Sequence, residues 1–151
     1  MLDGTQDFTA AYLEYLRHGD TALMMRLFRP KGDGPFPIII DLHGGAWNTG
    51  DLSGCRVRDE VLVNAGLAVA AVDFRQAADR YPASSQDINY AIRWIKANGG
   101  EWALDPTRVG LSGQSSGGHL AALAAMRPGD PRYGAIPLDG GAGIDASIDA
   151  R

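Results

Sequence analysis

Two short, glycine-bracketed stretches hold the residues that could do chemistry. The first is Gly113-Gln114-Ser115-Ser116-Gly117, a G-x-S-x-G that follows the apolar run Arg108 to Leu111 and opens an Ala/Leu-rich segment. A serine between a strand and a helix must turn so sharply that side chains two positions away would collide, and Gly113 and Gly117 remove them. The turn presents the Ser115 hydroxyl at the carboxyl end of the strand, with a helix N-terminus behind it to favour negative charge. That is the setting of a nucleophile. The competing reading is a phosphate loop, but no Lys follows as in a Walker loop and the glycines miss G-x-G-x-x-G.

The second stretch is His43-Gly44-Gly45-Ala46-Trp47, directly after the run Ile38 to Leu42. Acyl transfer passes through a tetrahedral oxyanion, and each backbone N–H aimed at it is worth about 10²–10³ in rate. Consecutive glycines let the chain present successive N–H groups in one direction. The competing reading is a tight loop that merely lacks side chains. Trp47 either lines a pocket or caps the core.

Positioning these two stretches requires a sheet. Ile38-Ile39-Ile40-Asp41-Leu42 is apolar on both faces, which suits a strand buried between two helical layers. Ala22 to Phe28, Leu67 to Val72 and Arg108 to Leu111 read as further strands. Helices fit at 54–65, with Val57, Val61 and Leu62 as its apolar positions, and at 84–98, with Ile88, Ala91, Ile92 and Ile95 at helical spacing. Ser84 or Ser85 would cap that second helix and Asn98-Gly99 would stop it. A third helix covers 116–126, and the mixed apolar spacing of 7–17 suggests a short helix on the body of the protein. Strand and helix alternate, so the expectation is an α/β fold, a mainly parallel sheet with helices on both faces. The chain divides at 126: residues 1–126 carry the pattern, and 127–151, Gly/Pro-rich and without a period, read as a long loop.

Composition excludes several function classes. The 151 residues are 45% hydrophobic and 21% charged, with a net charge of −4, an ordinary globular balance. Fourteen basic residues against eighteen acidic ones, with no basic run, leave no footprint for nucleic acid. No stretch has the length of a membrane span, and no export signal is visible, so the expectation is a soluble, cytoplasmic protein. Cys55 is the single cysteine, which argues against a disulfide framework and against a cysteine-based metal site.

Together these motifs resemble the α/β-hydrolase fold, and within it the hormone-sensitive-lipase-like carboxylesterases with the related arylformamidase and feruloyl-esterase-like branches. Beyond HGGAW and GQSSGG, the resemblance rests on Asp73-Phe74-Arg75, on Tyr81-Pro82-Ala83 followed by Asp87, and on Asp105-Pro106-Thr107-Arg108. It implies that Ser115 is the nucleophile and that the N–H groups of Gly45, Ala46 and Ser116, with Gly44 as a fourth candidate, form the oxyanion hole. His43 would shape that loop rather than act as base. Ala46 stands where the family's third glycine would be, and Ala46-Trp47 is closer to the arylformamidase and feruloyl-esterase-like branches. The implied substrate is a small acyl or aryl ester, with no metal and no organic cofactor.

Other polar residues have plainer readings. His119 is a helix residue satisfied by a nearby backbone group, His18 a surface turn, and Asp73 and Arg75 braces for the loop after their strand. Trp94 and Trp102 are packing residues. What the family's order of Ser, Asp/Glu, His requires is then missing, because no His follows His119 and the downstream acids Asp130, Asp139, Asp145 and Asp149 lie in the terminal loop. The sequence therefore reads as the front half of a hydrolase. The strand Arg108 to Leu111 would leave a sheet edge to be covered by the C-terminal half of the fold, by a second chain or copy, or by the folded-back terminal loop. Two alternatives to an esterase remain: an arylformamidase-type amide hydrolase, and a catalytically silent binding or assembly module.

Overall fold

A computed structural model describes residues 7–148. The strand expected at the centre is there: β3 (Phe36–Leu42) lies between two parallel neighbours, β4 (Ala68–Val72) and β5 (Leu104–Gly113). Alternation along these strands builds two faces. Ile38, Ile40, Leu42, Ala68, Ala70, Val72 and Val109 enter the main core, where they meet Ile88, Ile92 and Ile95 of α2 (Ala83–Asn98) and Leu120 and Ala124 of α3 (Ser116–Met126). On the opposite face Val69 and Phe28 pack with Val63 of α1 (Arg56–Asn64).

The N-terminal segment corrects the sequence reading. Residues 7–17 do not form a helix; β1 (Phe8–His18) pairs antiparallel with β2 (Thr21–Pro30) across a tight turn at Gly19-Asp20, where Gly19 has φ +55°. Tyr15 packs into the core while the register shifts between Glu14 and Leu16. A bulge of this kind breaks strict alternation, which is why the apolar residues here follow neither a strand nor a helix period. β2 in turn pairs antiparallel with β4, so the order is β1-β2-β4-β3-β5, a mixed sheet with three parallel strands.

Two further details differ from expectation. On α1, Val57 and Val61 are 80% and 64% exposed, and the buried positions are Asp59 and Val63. On that buried side Asp59 lies 3.3 Å from Arg26 of β2, and Val63 packs in the core with Leu62 against it. At the start of α2 neither serine caps: Pro82 holds the N-cap position, the Ser84 hydroxyl donates to the Arg75 carbonyl, and Ser85 Oγ is buried without a partner.

Residues 127–148 run through turns without helix or strand and fold back onto α2. Tyr133 and Ala146 are buried, Arg93 donates to the Ile136 carbonyl at 2.8 Å, and Lys96 pairs with Asp145 at 3.1 Å. This segment does not extend the sheet. Among the described residues no strand pairs with the outer edge of β5, so the terminal loop, one of the three covers expected for that edge, adds no strand to it. No helix among the described residues is long and apolar enough to cross a membrane.

Candidate active site

Two residues, Gln114 and Ser115, turn the chain from β5 into α3. Ser115 has φ 53° and ψ −121°, a conformation that costs an L-residue on the order of 1–3 kcal/mol. The flanking glycines show why the turn tolerates nothing larger. A Cβ on Gly117 would lie 2.2 Å from the Leu42 carbonyl oxygen, and one on Gly113 would lie 2.4 Å from the Gly117 carbonyl. The Gln114 N–H donates to the Leu42 carbonyl at 3.2 Å, tying the turn to the end of β3. Ser115 is exposed, and its hydroxyl makes no hydrogen bond among the described residues. Ser116 is the first residue of α3, where a backbone N–H has no partner within the helix.

The loop after β3 runs beside this turn. A Cβ on Gly44 would come within 3.0 Å of the Gln114 carbonyl oxygen and 3.3 Å of Ser115 Cβ. Gly45 sits at φ +129°, where a Cβ would stand 1.9 Å from the Thr49 carbonyl oxygen. Its own carbonyl accepts the N–H groups of Asn48 and Thr49, both at 3.0 Å. Ala46 and Trp47 follow at φ 53° and 61°, so three consecutive residues occupy left-handed backbone. The N–H groups of Gly44, Gly45 and Ala46 find no acceptor among the described residues.

His43 is 4% exposed and stacks on Phe74, the ring centroids 4.4 Å apart and the planes 8° from parallel. Its Nδ1 donates to the Gly44 carbonyl at 2.7 Å, tying the ring to the loop. Nε2 is buried without a partner. His119 departs from that reading: it is satisfied by a side chain, its Nδ1 accepting the Trp47 indole N–H at 3.2 Å. Trp47 and His119 lie on the wall of a cavity of about 600 Å³ between the start of α2, α3 and Arg132-Tyr133. Trp47 is therefore a pocket residue, half-exposed, and not a cap on the core.

Beneath the site lies a buried charge network. Asp41 of β3 pairs with Arg58, whose Nη2 also lies 3.1 Å from Cys55 Sγ, and the Cys55 thiol points at Gln114 Oε1 at 3.8 Å. Burial pushes the Cys55 thiol up to about 11, which removes it as a nucleophile near neutral pH. Asp59 is pushed up to about 7, first by burial and then by the neighbouring Asp41 carboxyl, against the opposing pull of Arg26. Asp73 and Arg75 brace their loop: Asp73 Oδ1 accepts the Leu52 N–H at 2.7 Å, and Arg75 clamps Asp87 with contacts of 2.8–3.1 Å. His18 closes on the same Asp87 at 2.9 Å, the only histidine–carboxylate pair among the described residues, and it belongs to this brace.

Two of the downstream acids are occupied elsewhere. Asp130 is held down to about 2 by Arg132, and Asp145 to about 2 by Ser147 and Lys96; Asp149 lies outside the described residues. The structure thus brings Ser115, Ser116, Gly44, Gly45, Ala46 and His43 together and leaves Ser115 without a bonded base. Among the described residues no group of three or more His, Cys, Asp or Glu side chains could hold a metal. Sequence reasoning missed Gln76, Arg80 and Tyr133, which line the cavity from two separate segments and share no motif spacing, and it gave no cavity role to Tyr81 of the Tyr81-Pro82-Ala83 stretch.

Known proteins share this fold. The BD-FAE family model matches residues 25–143. A probable carboxylic ester hydrolase, LipM, of Mycobacterium tuberculosis is 33% identical over 135 residues, 87% of this chain and 31% of that protein. Esterase LipC of the same organism is 34% identical over 136 residues, 87% of this chain and 33% of that protein. Among solved structures, Thermogutta terrifontis esterase 2 phosphoramylated by tabun superposes with a TM-score of 0.80 at 25% identity, covering 93% of this chain and 53% of that one. A bacterial heroin esterase superposes with a TM-score of 0.74 at 27% identity, covering 89% of this chain and 43% of that one. The chain spans about a third of the length of the curated relatives it matches. With more than half its residues matched by one family model and its sheet shared with these esterases, the chain belongs to the BD-FAE family and has the α/β-hydrolase fold of the hormone-sensitive-lipase-like esterases.

Proposed function

We propose that this chain supplies the nucleophile and the oxyanion hole of a carboxylic ester hydrolase acting on small acyl or aryl esters. One observation carries the reading: the strained, exposed Ser115 at the β5–α3 turn stands beside a loop whose Gly44, Gly45 and Ala46 N–H groups find no acceptor among the described residues. Ser115 Oγ attacks the ester carbonyl carbon. The oxyanion that forms is met by the N–H groups of Gly45, Ala46 and Ser116, with Gly44 alongside, while a general base takes the Ser115 proton and returns it to the departing alcohol. Water then hydrolyses the acyl-enzyme. The base and its orienting acid come from a C-terminal half of the fold or from a second chain, which also covers the open edge of β5. The relatives named as esterases support the ester class.

The test is a fluorophosphonate probe on the protein as its gene encodes it, followed by peptide mapping. The adduct is expected on Ser115 and absent from Ser115→Ala; an adduct that persists in Ser115→Ala overturns the assignment, and an unlabelled protein favours a silent binding module. Ala46-Trp47 in place of a third glycine keeps an arylformamidase-type amide hydrolase as the second reading, and faster turnover of an aryl formamide than of the matching ester would select it.

A further inference from the structure

The cavity behind Trp47 and His119 has an electrostatic character opposite to that of the chain. The protein carries eighteen acidic and fourteen basic residues, yet three arginines line this cavity, Arg80, Arg127 and Arg132, and no carboxylate does. Two of the three are answered from outside the wall. Asp130 holds Arg132 at 2.6 Å and stands 3.8 Å from Arg127. Arg80 has no ion pair and no side-chain hydrogen bond among the described residues. Its backbone is at φ 61° and ψ 162°, a region that glycine adopts freely and other residues rarely do. Arg80 is exposed, and its guanidinium is the unpaired cation of this wall among the described residues.

The rest of the wall suits a flat group. Trp47, Tyr81 and Tyr133 supply aromatic surface, with the two tyrosine rings edge to face at 6.2 Å and their hydroxyls 3.0 Å apart. Two polar atoms of the lining residues, Ser85 Oγ and Gln76 Oε1, are buried without a partner. Buried polar groups are seldom left unsatisfied in a native structure, so both await a ligand or water. The volume, about 600 Å³, lies within the range of sites that take small organic molecules, roughly 300–1,000 Å³.

We propose that this cavity is the specificity pocket for an aromatic carboxylate: it takes a flat part of the substrate that bears a carboxylate, and Arg80 is the counter-charge. The proposal rests on the reading of Ser115 as nucleophile only for the word substrate; binding of the aromatic anion stands apart from it. The wall shared with the reactive turn is the Trp47–His119 pair, one residue from the loop beside Ser115 and one a helical turn after it.

Benzoate and its neutral isostere benzamide, titrated calorimetrically into the gene-encoded protein, test the idea. Benzoate is expected to bind about tenfold more tightly than benzamide, the scale of one charge-assisted hydrogen bond in a partly exposed site. Arg80→Gln should bring the two ligands to the same affinity. Equal affinities in the unaltered protein, or a preference that survives Arg80→Gln, overturn the proposal. Arg80→Gly provides the complementary readout. It relaxes the backbone, so the thermal midpoint should rise while the preference for benzoate disappears; a lowered midpoint with the preference intact would make Arg80 merely structural and overturn the proposal. Benzoate should also compete with phenyl acetate, and non-competitive inhibition would separate the cavity from the substrate. Ser115→Ala keeps the two readings apart. It should abolish phenyl acetate hydrolysis and leave benzoate binding intact, whereas hydrolysis that survives it sinks the nucleophile reading without touching the pocket.

Discussion

At the residue scale, backbone geometry does what side-chain chemistry alone could not. Ser115 is an ordinary hydroxyl placed by an extraordinary φ and ψ, and both glycines around it exist because a Cβ would strike backbone atoms at 2.2–2.4 Å. Ser115→Gly and Ser115→Ala should both lose probe labelling. Because glycine alone is at ease at φ 53°, Ser115→Gly should be the more stable of the two by about 1 kcal/mol in urea unfolding. The loop after β3, the proposed oxyanion hole, makes a different prediction. Gly45→Val adds a side chain where only 1.9 Å separates the Cβ position from the Thr49 carbonyl oxygen, so the loop must move. Turnover of the complete protein should fall by about 10²-fold or more while KM changes little. An unchanged kcat would remove this loop from the mechanism.

At the element scale, α1 buries a carboxyl, Asp59, as well as Val63 against the sheet. Asp59 is fully buried beside Asp41 and Arg26, and its carboxyl titrates near 7 rather than near its ordinary value of about 4. The folded state therefore holds this proton more tightly than the unfolded chain does. Between about pH 4 and pH 7 the native protein binds more protons, so stability falls as pH rises through that window, by up to about 1.4 kcal/mol per pH unit for one proton, and levels off above it. Urea midpoints measured across pH 4–9 should show this slope, and Asp59→Asn should flatten it. A slope that persists in Asp59→Asn would place the titrating group elsewhere. The helix phase escaped the sequence because Val57 and Val61 sit at helical spacing but face outward, while Val63 and Asp59, the latter 3.3 Å from Arg26, take the buried side.

At the scale of the whole molecule, the outer edge of β5 has no partner strand among the described residues, and Val57 and Val61 of α1 are exposed. An unpaired strand edge is a template for another strand. Residues 1–151 expressed alone are expected to self-associate, visible as a concentration-dependent mass in light scattering, and to hydrolyse 4-nitrophenyl acetate at most slowly, since an oxyanion hole without its base retains only weak catalysis. A monomer with a full esterase rate would return the role of base to His43 or His119.

Motif and periodicity determined a good part of this. The G-x-S-x-G between a strand and a helix, the paired glycines after a β-branched run, and the helical spacing of Ile88, Ala91, Ile92 and Ile95 are local signals, and local backbone sterics and side-chain period are enough to read them. Three matters needed the tertiary structure. The strand at Phe8–His18 is dictated by pairing with β2 across a bulge that erases its period. His119 is engaged by Trp47, 72 residues away, and the arginine-lined cavity gathers residues from four stretches of chain. Such contacts between distant segments leave no spacing in a sequence, because it is the folded sheet that brings their side chains to one wall.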